Sequence, residues 1–143
     1  MRMAIRADLP IVFADEILFT KRAVYSKEYC KARAPIAVPQ AEWNFKPVGT
    51  VAFICRDKGL LHWDSVPKDC NSEIFFEHVK VVRRKMGNKP FFLYLDLAGF
   101  HRSRWLKEQM EEINITRILS VPASPEYNPI EGCFSIVKNY FKR

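Results

Sequence analysis

"FFLYLD", residues 91–96, is the most hydrophobic strand-like segment of this chain, and it ends in a carboxylate. Pro90 precedes it, and an unbroken apolar run leads to Asp96. Such a run is typical of a central strand covered on both faces of a sheet, because side chains on both faces then need apolar neighbours. The segment therefore predicts a sheet with helices packed on each face.

The segments around this strand alternate between helical and strand-like patterns. Residues 72–86 repeat apolar side chains at helical spacing, with Ser72 as a candidate N-cap, and residues 102–113 repeat them again. "ITRILSV", residues 115–121, has the composition of a strand, and a last helix is expected from Asn128. The C-terminal half therefore predicts helix, strand, helix, strand, helix.

The N-terminal half is strand-rich. "PIVFADEILFT", residues 10–20, is largely apolar on both alternating faces, which predicts another doubly covered strand. "TVAFICR" and "LLHWDS" predict a hairpin joined across "DKG". A further strand is expected around 23–26 and a proline-rich loop over 35–48. The whole order predicts an α/β domain with a mixed sheet flanked by helices.

Length and composition predict one globular domain over residues 1–143. The chain is 48% hydrophobic and 27% charged, and 23 Lys and Arg against 16 Asp and Glu give a net charge of +7. That charge favours a polyanionic partner such as nucleic acid, although an acidic protein or a membrane surface also fits. We expect an intracellular protein without a membrane span, because no apolar run or secretory signal is evident.

Three acids are expected at unfavourable or special positions. Asp15 shares a strand face with apolar residues, Asp96 ends the most hydrophobic strand, and Glu131 lies where the last helix begins. A buried carboxylate costs free energy unless a cation or hydrogen bonds compensate it. Each acid also has an ordinary interpretation: an ion pair for Asp15, loop N–H donors for Asp96, and helix capping for Glu131.

The three acids together suit a divalent metal site. Ligand sites collect at the carboxyl ends of central strands in α/β sheets. Mg²⁺ and Mn²⁺ prefer oxygen ligands, and two such ions about 3.5–4 Å apart can cleave a phosphodiester. We expect the three carboxyl groups within about 10 Å of one another, as two bridged ions require. We also expect Asp96 to be strained without metal.

Three motifs resemble those of the mariner-type transposases, members of the DDE integrase superfamily with a ribonuclease H-like fold. They are "VFADEILFT", "LYLDLAGFHRS" and "VPASPEYNPIEGCFSIVK". Asp15, Asp96 and Glu131 match the catalytic acids of that family, and His101 matches its histidine five positions after the second acid. The 34 residues between Asp96 and Glu131 match the spacing of one branch.

The resemblance implies a metal-dependent DNA endonuclease and strand-transferase core. Its expected site is Asp15, Asp96 and Glu131 holding two Mg²⁺ or Mn²⁺ ions. Leu97 departs from the family, which commonly has Asn there. The family also carries helix-turn-helix domains before the core, whereas the first expected strand begins at Pro10. We therefore expect the core alone.

Two alternatives to the catalytic interpretation remain open at this point. One is a domesticated, non-catalytic derivative that serves as a DNA-binding or structural subunit of a larger complex. The other is a nuclease acting on RNA–DNA hybrids, against which the Asn-Pro-Ile-Glu motif argues.

The expected DNA contacts are basic side chains near the second motif and on the last helix. Phosphate contact requires positive charge at reachable positions, while solvated helix faces are the ordinary alternative. The expected partners are DNA and either a second copy of the chain or a separate recognition subunit, in the nucleus of a eukaryote or the cytoplasm otherwise. The candidates are His101, Arg102, Arg104, Lys107 and Lys138; His101 is equally interpretable as a structural histidine.

Overall fold

The computed structural model describes residues 8–19, 46–87, 89–122 and 128–141. Its elements are β1 (Ile11–Phe19), β2 (Val48–Cys55), β3 (Gly59–Val66), α1 (Ser72–Met86), β4 (Phe91–Leu95), a 3₁₀ turn (Phe100–Arg102), α2 (Arg104–Glu112), β5 (Ile115–Leu119) and α3 (Ile130–Phe141). The predicted order is confirmed for these ranges. The strand expected around 23–26, and most of the loop expected over 35–48, lie outside them. None of the helices in the described ranges combines the length and apolar character needed to cross a membrane.

The strands form one mixed sheet in the order β3-β2-β1-β4-β5. β2 pairs antiparallel with β1 and β3, whereas β4 pairs parallel with β1 and β5. β4, the FFLYL strand, therefore lies inside the sheet as its apolar run predicted. The predicted hairpin of β2 and β3 is also confirmed, and Gly59 at its turn adopts a φ of 69°, where a residue without Cβ avoids strain.

Helices cover both faces of the sheet because β1 is apolar on both faces. Val12 and Ala14 belong to the larger core cluster, which includes side chains from α1 and α2. Ile17 belongs to a smaller cluster with side chains of α3. Since successive residues of a strand point to opposite faces, Asp15 lies on the α3 face and Glu16 on the face of α1 and α2.

The cap of α1 differs from the sequence prediction. The Asn71 side chain caps the helix, with its Oδ1 accepting from the Glu73 N–H at 3.1 Å and the Ile74 N–H at 2.9 Å. The prediction of Ser72 as the cap is wrong. Its hydroxyl instead donates to the Phe100 carbonyl at 3.0 Å, which ties the start of α1 to the loop after β4.

Candidate active site at the ends of the central strands

Asp15 and Asp96 lie at the same level on neighbouring parallel strands. Phe13 of β1 is opposite Tyr94 of β4, so the same register continued by two residues places Asp15 beside Asp96. β4 has ended by that point, and Asp96 opens the loop that follows it. The two acids therefore meet at the carboxyl end of a central strand, where ligand sites collect in such sheets.

Asp15 is an acid held in an unfavourable environment. The residue is only 9% exposed. Burial, and then the charge of Glu16, raise the pKa of the Asp15 carboxyl to about 7, and the charges of Asp96 and Glu131 add to the increase. One bond opposes this shift: the Glu16 N–H donates to Asp15 Oδ1 at 2.8 Å. The structure thus brings all three predicted acids close enough for their charges to interact; the 10 Å limit on their separation stays a prediction.

Asn128 connects the start of α3 to Asp15. Its Oδ1 accepts from the Ile130 N–H at 3.4 Å, and its backbone carbonyl accepts from the Glu131 N–H at 3.2 Å. On the other side of the same amide, Nδ2 donates to Asp15 Oδ2 at 3.4 Å. Asn128 therefore supplies the cap, while Glu131 lies exposed in the first helical turn. The same Asn128 side chain therefore caps α3 and holds the start of this helix next to Asp15.

His101 joins Asp96 to Glu16 in the interior. Its Nδ1 lies 2.5 Å from Asp96 Oδ1, and its Nε2 lies 3.2 Å from Glu16 Oε1. Burial of the ring opposes its charged form, but the bonds to Asp96 and Glu16 outweigh that cost and raise the pKa of His101 to about 9. Both ring nitrogens consequently donate, as only the imidazolium form allows.

The loop that carries Asp96 and His101 is fixed from β5. Arg117 donates from Nη1 to the His101 carbonyl at 2.5 Å and to the Ser103 carbonyl at 2.9 Å. Asp96 itself accepts from the Ala98 N–H at 3.0 Å. The carboxylate is therefore positioned by its own loop and by a buried ring.

Two expectations about this loop need revision. The bond to His101, followed by the Ala98 N–H, lowers the pKa of Asp96. The expectation that Asp96 is the strained acid is therefore wrong: Asp15 is, because burial and neighbouring negative charges raise its pKa, and no cation among the described residues pairs with it. His101 is fully buried with both nitrogens bonded, so its placement fits the structural interpretation and offers no nitrogen to a DNA phosphate.

Within the described part of the chain, the other basic candidates form no ion pair with the three acids. Arg102 is exposed after the buried His101. Arg104 has a 91% exposed side chain that pairs with Glu108 at 2.7 Å. Lys107 pairs with Glu111 at 3.6 Å along the same helix, and Lys138 is half-buried on α3. Surface pairs of this kind contribute little to stability, so these cations remain available to a polyanion.

Sequence reasoning missed three residues of this site. No spacing in the sequence predicts the bond between Glu16 and His101 or the bond between Asn128 and Asp15. The same holds for the bonds that Arg117 donates to the loop after β4. The sequence does contain one feature that points to Glu16: strand alternation places its side chain on the face opposite Asp15. An acid on a doubly covered strand needs a partner on its own face, and for Glu16 that partner is His101.

The comparisons with known proteins concern the family and the fold of this chain. Residues 10–143 match the family described as DDE superfamily endonuclease. No curated protein matches the chain. The fold is similar to that of the Mos1 mariner paired end complex with Mn, at a TM-score of 0.69 and 16% identity over 92% of this chain and 42% of that chain.

Two further solved structures have the same fold. The pre-cleavage Mos1 transpososome matches at a TM-score of 0.68 and 15% identity, covering 92% of this chain and 42% of that chain. The Mos1 transposase catalytic domain with Raltegravir and Mg matches at a TM-score of 0.65 and 13% identity, covering 92% of this chain and 60% of that chain. The expected ribonuclease H-like fold is thereby confirmed.

This chain spans less than half of the length of the chains in the first two complexes. Because the family match extends over nearly all of its residues, the protein belongs to the DDE superfamily endonucleases.

Proposed function

We propose that this chain is the metal-dependent catalytic core of a mariner-type DNA endonuclease and strand transferase. The observation that carries the proposal is that the strand register places Asp15 beside Asp96 and that Asn128 bonds Asp15 to the start of the helix carrying Glu131, with a pKa of about 7 for the buried Asp15. Within the described ranges, no Lys or Arg forms an ion pair with any of the three acids. Family membership supports the same reaction class.

The donor set fits Mg²⁺ or Mn²⁺. Asp15, Asp96 and Glu131 offer only carboxylate oxygens, which these ions prefer. Burial, and then the negative charges of Glu16, Asp96 and Glu131, raise the Asp15 pKa, and a bound cation would offset both effects. Bound at these residues, two such ions would activate a water or hydroxyl nucleophile and stabilise the leaving oxygen. Mos1 structures with Mn and with Mg support the choice of ion.

The surrounding residues hold the acids in place before any ligand arrives. His101 and the Ala98 N–H orient Asp96, although Leu97 stands where the family commonly has Asn. Asn128 sets the position of α3 relative to Asp15 and thereby that of Glu131. Preorganised charges of this kind need no rearrangement during the reaction.

DNA is the proposed substrate, and exposed cations are the proposed contacts. Arg102, Arg104 and Lys107 follow the Asp96 loop, and Lys138 lies on the helix that carries Glu131. The similarity to the Mos1 transpososome supports DNA as the partner. The further proposed partners are a second copy of the chain or a separate DNA-recognition subunit, in the compartment that holds the DNA.

The proposal is tested by nicking of supercoiled plasmid. Wild type is expected to nick in Mn²⁺ or Mg²⁺ and not in EDTA. Glu131→Gln should lower the rate about 100-fold or more, because a ligand oxygen that stabilises reaction charge is lost. Its melting temperature should change little, since Glu131 is exposed.

Glu112→Gln is the matched control, an exposed acid on α2, and it should nick like wild type. Retained nicking in Glu131→Gln would contradict the assignment of this acid. A folded wild type that binds DNA and never nicks would instead favour the non-catalytic derivative.

DNA binding should be weak in sequence preference and steeply dependent on salt. Each phosphate contact releases counterions, so four contacts would weaken binding about 100-fold between 50 and 200 mM salt. The double variant Arg102→Gln, Lys107→Gln should reduce the slope of log K against log salt by about 2. Lys58→Gln, in the β2–β3 turn, is the control. Tight, salt-insensitive binding to one short sequence would contradict the prediction. The measurement is fluorescence anisotropy at several salt concentrations.

A further inference from the structure

A second cluster of metal-ligating side chains lies on the edge strand of the sheet. His62 and Asp64 are alternate residues of β3 and share one face, and His78 reaches them from α1. One ligand atom from each residue lies within 4.8 Å of the other two. β2 separates this histidine cluster from β1 and the three acids, so it belongs to another site.

The two imidazoles already have nearly the spacing that a shared cation requires. His62 Nε2 and His78 Nδ1 are 2.9 Å apart, which is a hydrogen bond with one proton between two nitrogens. In a tetrahedral zinc site with Zn–N bonds of about 2.0–2.1 Å, the two nitrogens lie about 3.3 Å apart. Exchanging the proton for an ion therefore lengthens the separation of the two nitrogens by only a few tenths of an ångström, with a rotation of the rings that aims both nitrogens at the ion.

The neighbours of the cluster keep one side rigid and the other open. The His62 ring packs on Phe53, with centroids 5.8 Å apart, and both histidines are half-buried. The strand pairing is irregular next to this point, between Phe53 and Ile54, and such bulges re-aim side chains. Asp64 is exposed, and its Oδ1 accepts from the Ser65 N–H at 2.8 Å. The Asp64 carboxylate therefore lies on the solvent-exposed side of the cluster, where an ion would enter.

We propose that His62, Asp64 and His78 bind one zinc-class ion, which would join α1 to the edge strand β3. Two imidazoles and one carboxylate are a donor set that Zn²⁺, Co²⁺ and Ni²⁺ accept, whereas Mg²⁺ prefers oxygen ligands only. The fourth position is left to water. This site does not depend on the proposed nuclease activity.

Lys85 carries the charge that opposes this cation. Its ammonium donates to the Leu61 carbonyl at 2.6 Å, next to His62 in the chain. Coulomb repulsion between the ammonium and a bound ion weakens binding. Lys85→Gln should therefore strengthen zinc binding.

The test is calorimetric titration of the full chain with Zn²⁺, and with Co²⁺ for its visible absorption spectrum. With excess Mg²⁺ present to compete at the three-acid site, we expect one tightly bound Zn²⁺ per chain and a tetrahedral Co²⁺ spectrum. His78→Gln and Asp64→Asn should each weaken binding about tenfold or more, as losses at metal sites commonly do. Asp64→Asn changes an exposed side chain, so it tests the site even where a histidine variant fails to fold.

Two control variants separate this site from other zinc ligands. Cys133→Ser removes an exposed thiol, and Glu131→Gln removes an acid of the proposed nuclease site; in excess Mg²⁺ both should keep the tightly bound Zn²⁺ of the wild type. The proposal is overturned if wild type binds no Zn²⁺, or if Asp64→Asn and His78→Gln bind it unchanged. Loss of binding in either control variant would also overturn it, because the ion would then sit elsewhere.

Discussion

Asp15→Asn is expected to stabilise the metal-free protein by about 3 kcal/mol at pH 8 while it abolishes metal-dependent nicking. The pKa of Asp15 is raised from 3.8 to about 7, and that difference corresponds to about 4 kcal/mol of destabilisation once the carboxyl is ionised. Asn carries no charge, so the penalty disappears. The bond from Asn128 is lost with the substitution, and this costs about 1 kcal/mol.

The sign of this effect depends on pH. A raised carboxyl pKa means that the folded state holds its proton more tightly than the unfolded state. The wild-type protein therefore loses stability from this group as pH rises from about 4 to about 7. Below pH 4 the carboxyl is protonated in both states, and the advantage of Asp15→Asn should vanish.

Urea unfolding of both proteins between pH 4 and pH 8, in EDTA, measures the difference. Mn²⁺ should then raise the melting temperature of the wild type and not that of the variant, because ligands that bind only the folded state stabilise it. Nicking should fall about 100-fold or more with the lost ligand. A variant that is less stable than wild type at pH 8 would show that Asp15 is satisfied by contacts of another kind.

His101→Ala is expected to destabilise the protein by about 3–5 kcal/mol. The ring is fully buried and packs against Phe75 and Phe100, with centroids 4.7 and 4.3 Å away. Its removal leaves a cavity and also leaves Glu16 and Asp96 without the imidazolium that compensates their charges. The cavity and the uncompensated charges both lower the free energy of unfolding.

This contribution also has a pH window. The pKa of His101 is raised to about 9 from an ordinary 6.5, so its stabilising effect is complete below pH 6.5 and is lost as pH rises through 9. The pKa of Asp96 is lowered. The stability that Asp96 contributes is therefore complete above the ordinary pKa of a carboxyl group and is lost as pH falls through the lowered pKa. The cost of His101→Ala should thus be greatest near pH 5–6.5.

Urea unfolding at pH 6 and pH 9.5 tests this window. A double-mutant cycle with Glu16→Gln, at pH 6, separates the ion pair from the packing. A cost of His101→Ala that stays constant from pH 6 to pH 9.5 would mean that the ring acts through packing alone. Glu77→Gln is the control, since the pair of Glu77 with Lys80 is exposed at the surface and its loss should change stability little.

The sequence by itself determined the layers of the fold and singled out the candidate acids. The run FFLYL and the doubly apolar β1 can only be satisfied by cover on both faces, so the central strands and flanking helices followed from burial alone. Asp96 was recognised because it directly ends such a run. The position of Asp96 at the end of a strand can be predicted from its immediate neighbours in the sequence.

Only the tertiary structure decided which groups satisfy those acids. The bond between Glu16 and His101 spans 85 positions, and the bond between Asn128 and Asp15 spans 113. Such contacts depend on strand order and on the position of each helix across the sheet, and neither is encoded in local periodicity. The pKa of a carboxyl follows from what covers it, so Asp15 under α3 is strained while Asp96, bonded to a buried imidazolium, is not. The pairing of His62 with His78 arose in the same way, from the packing of α1 against an edge strand.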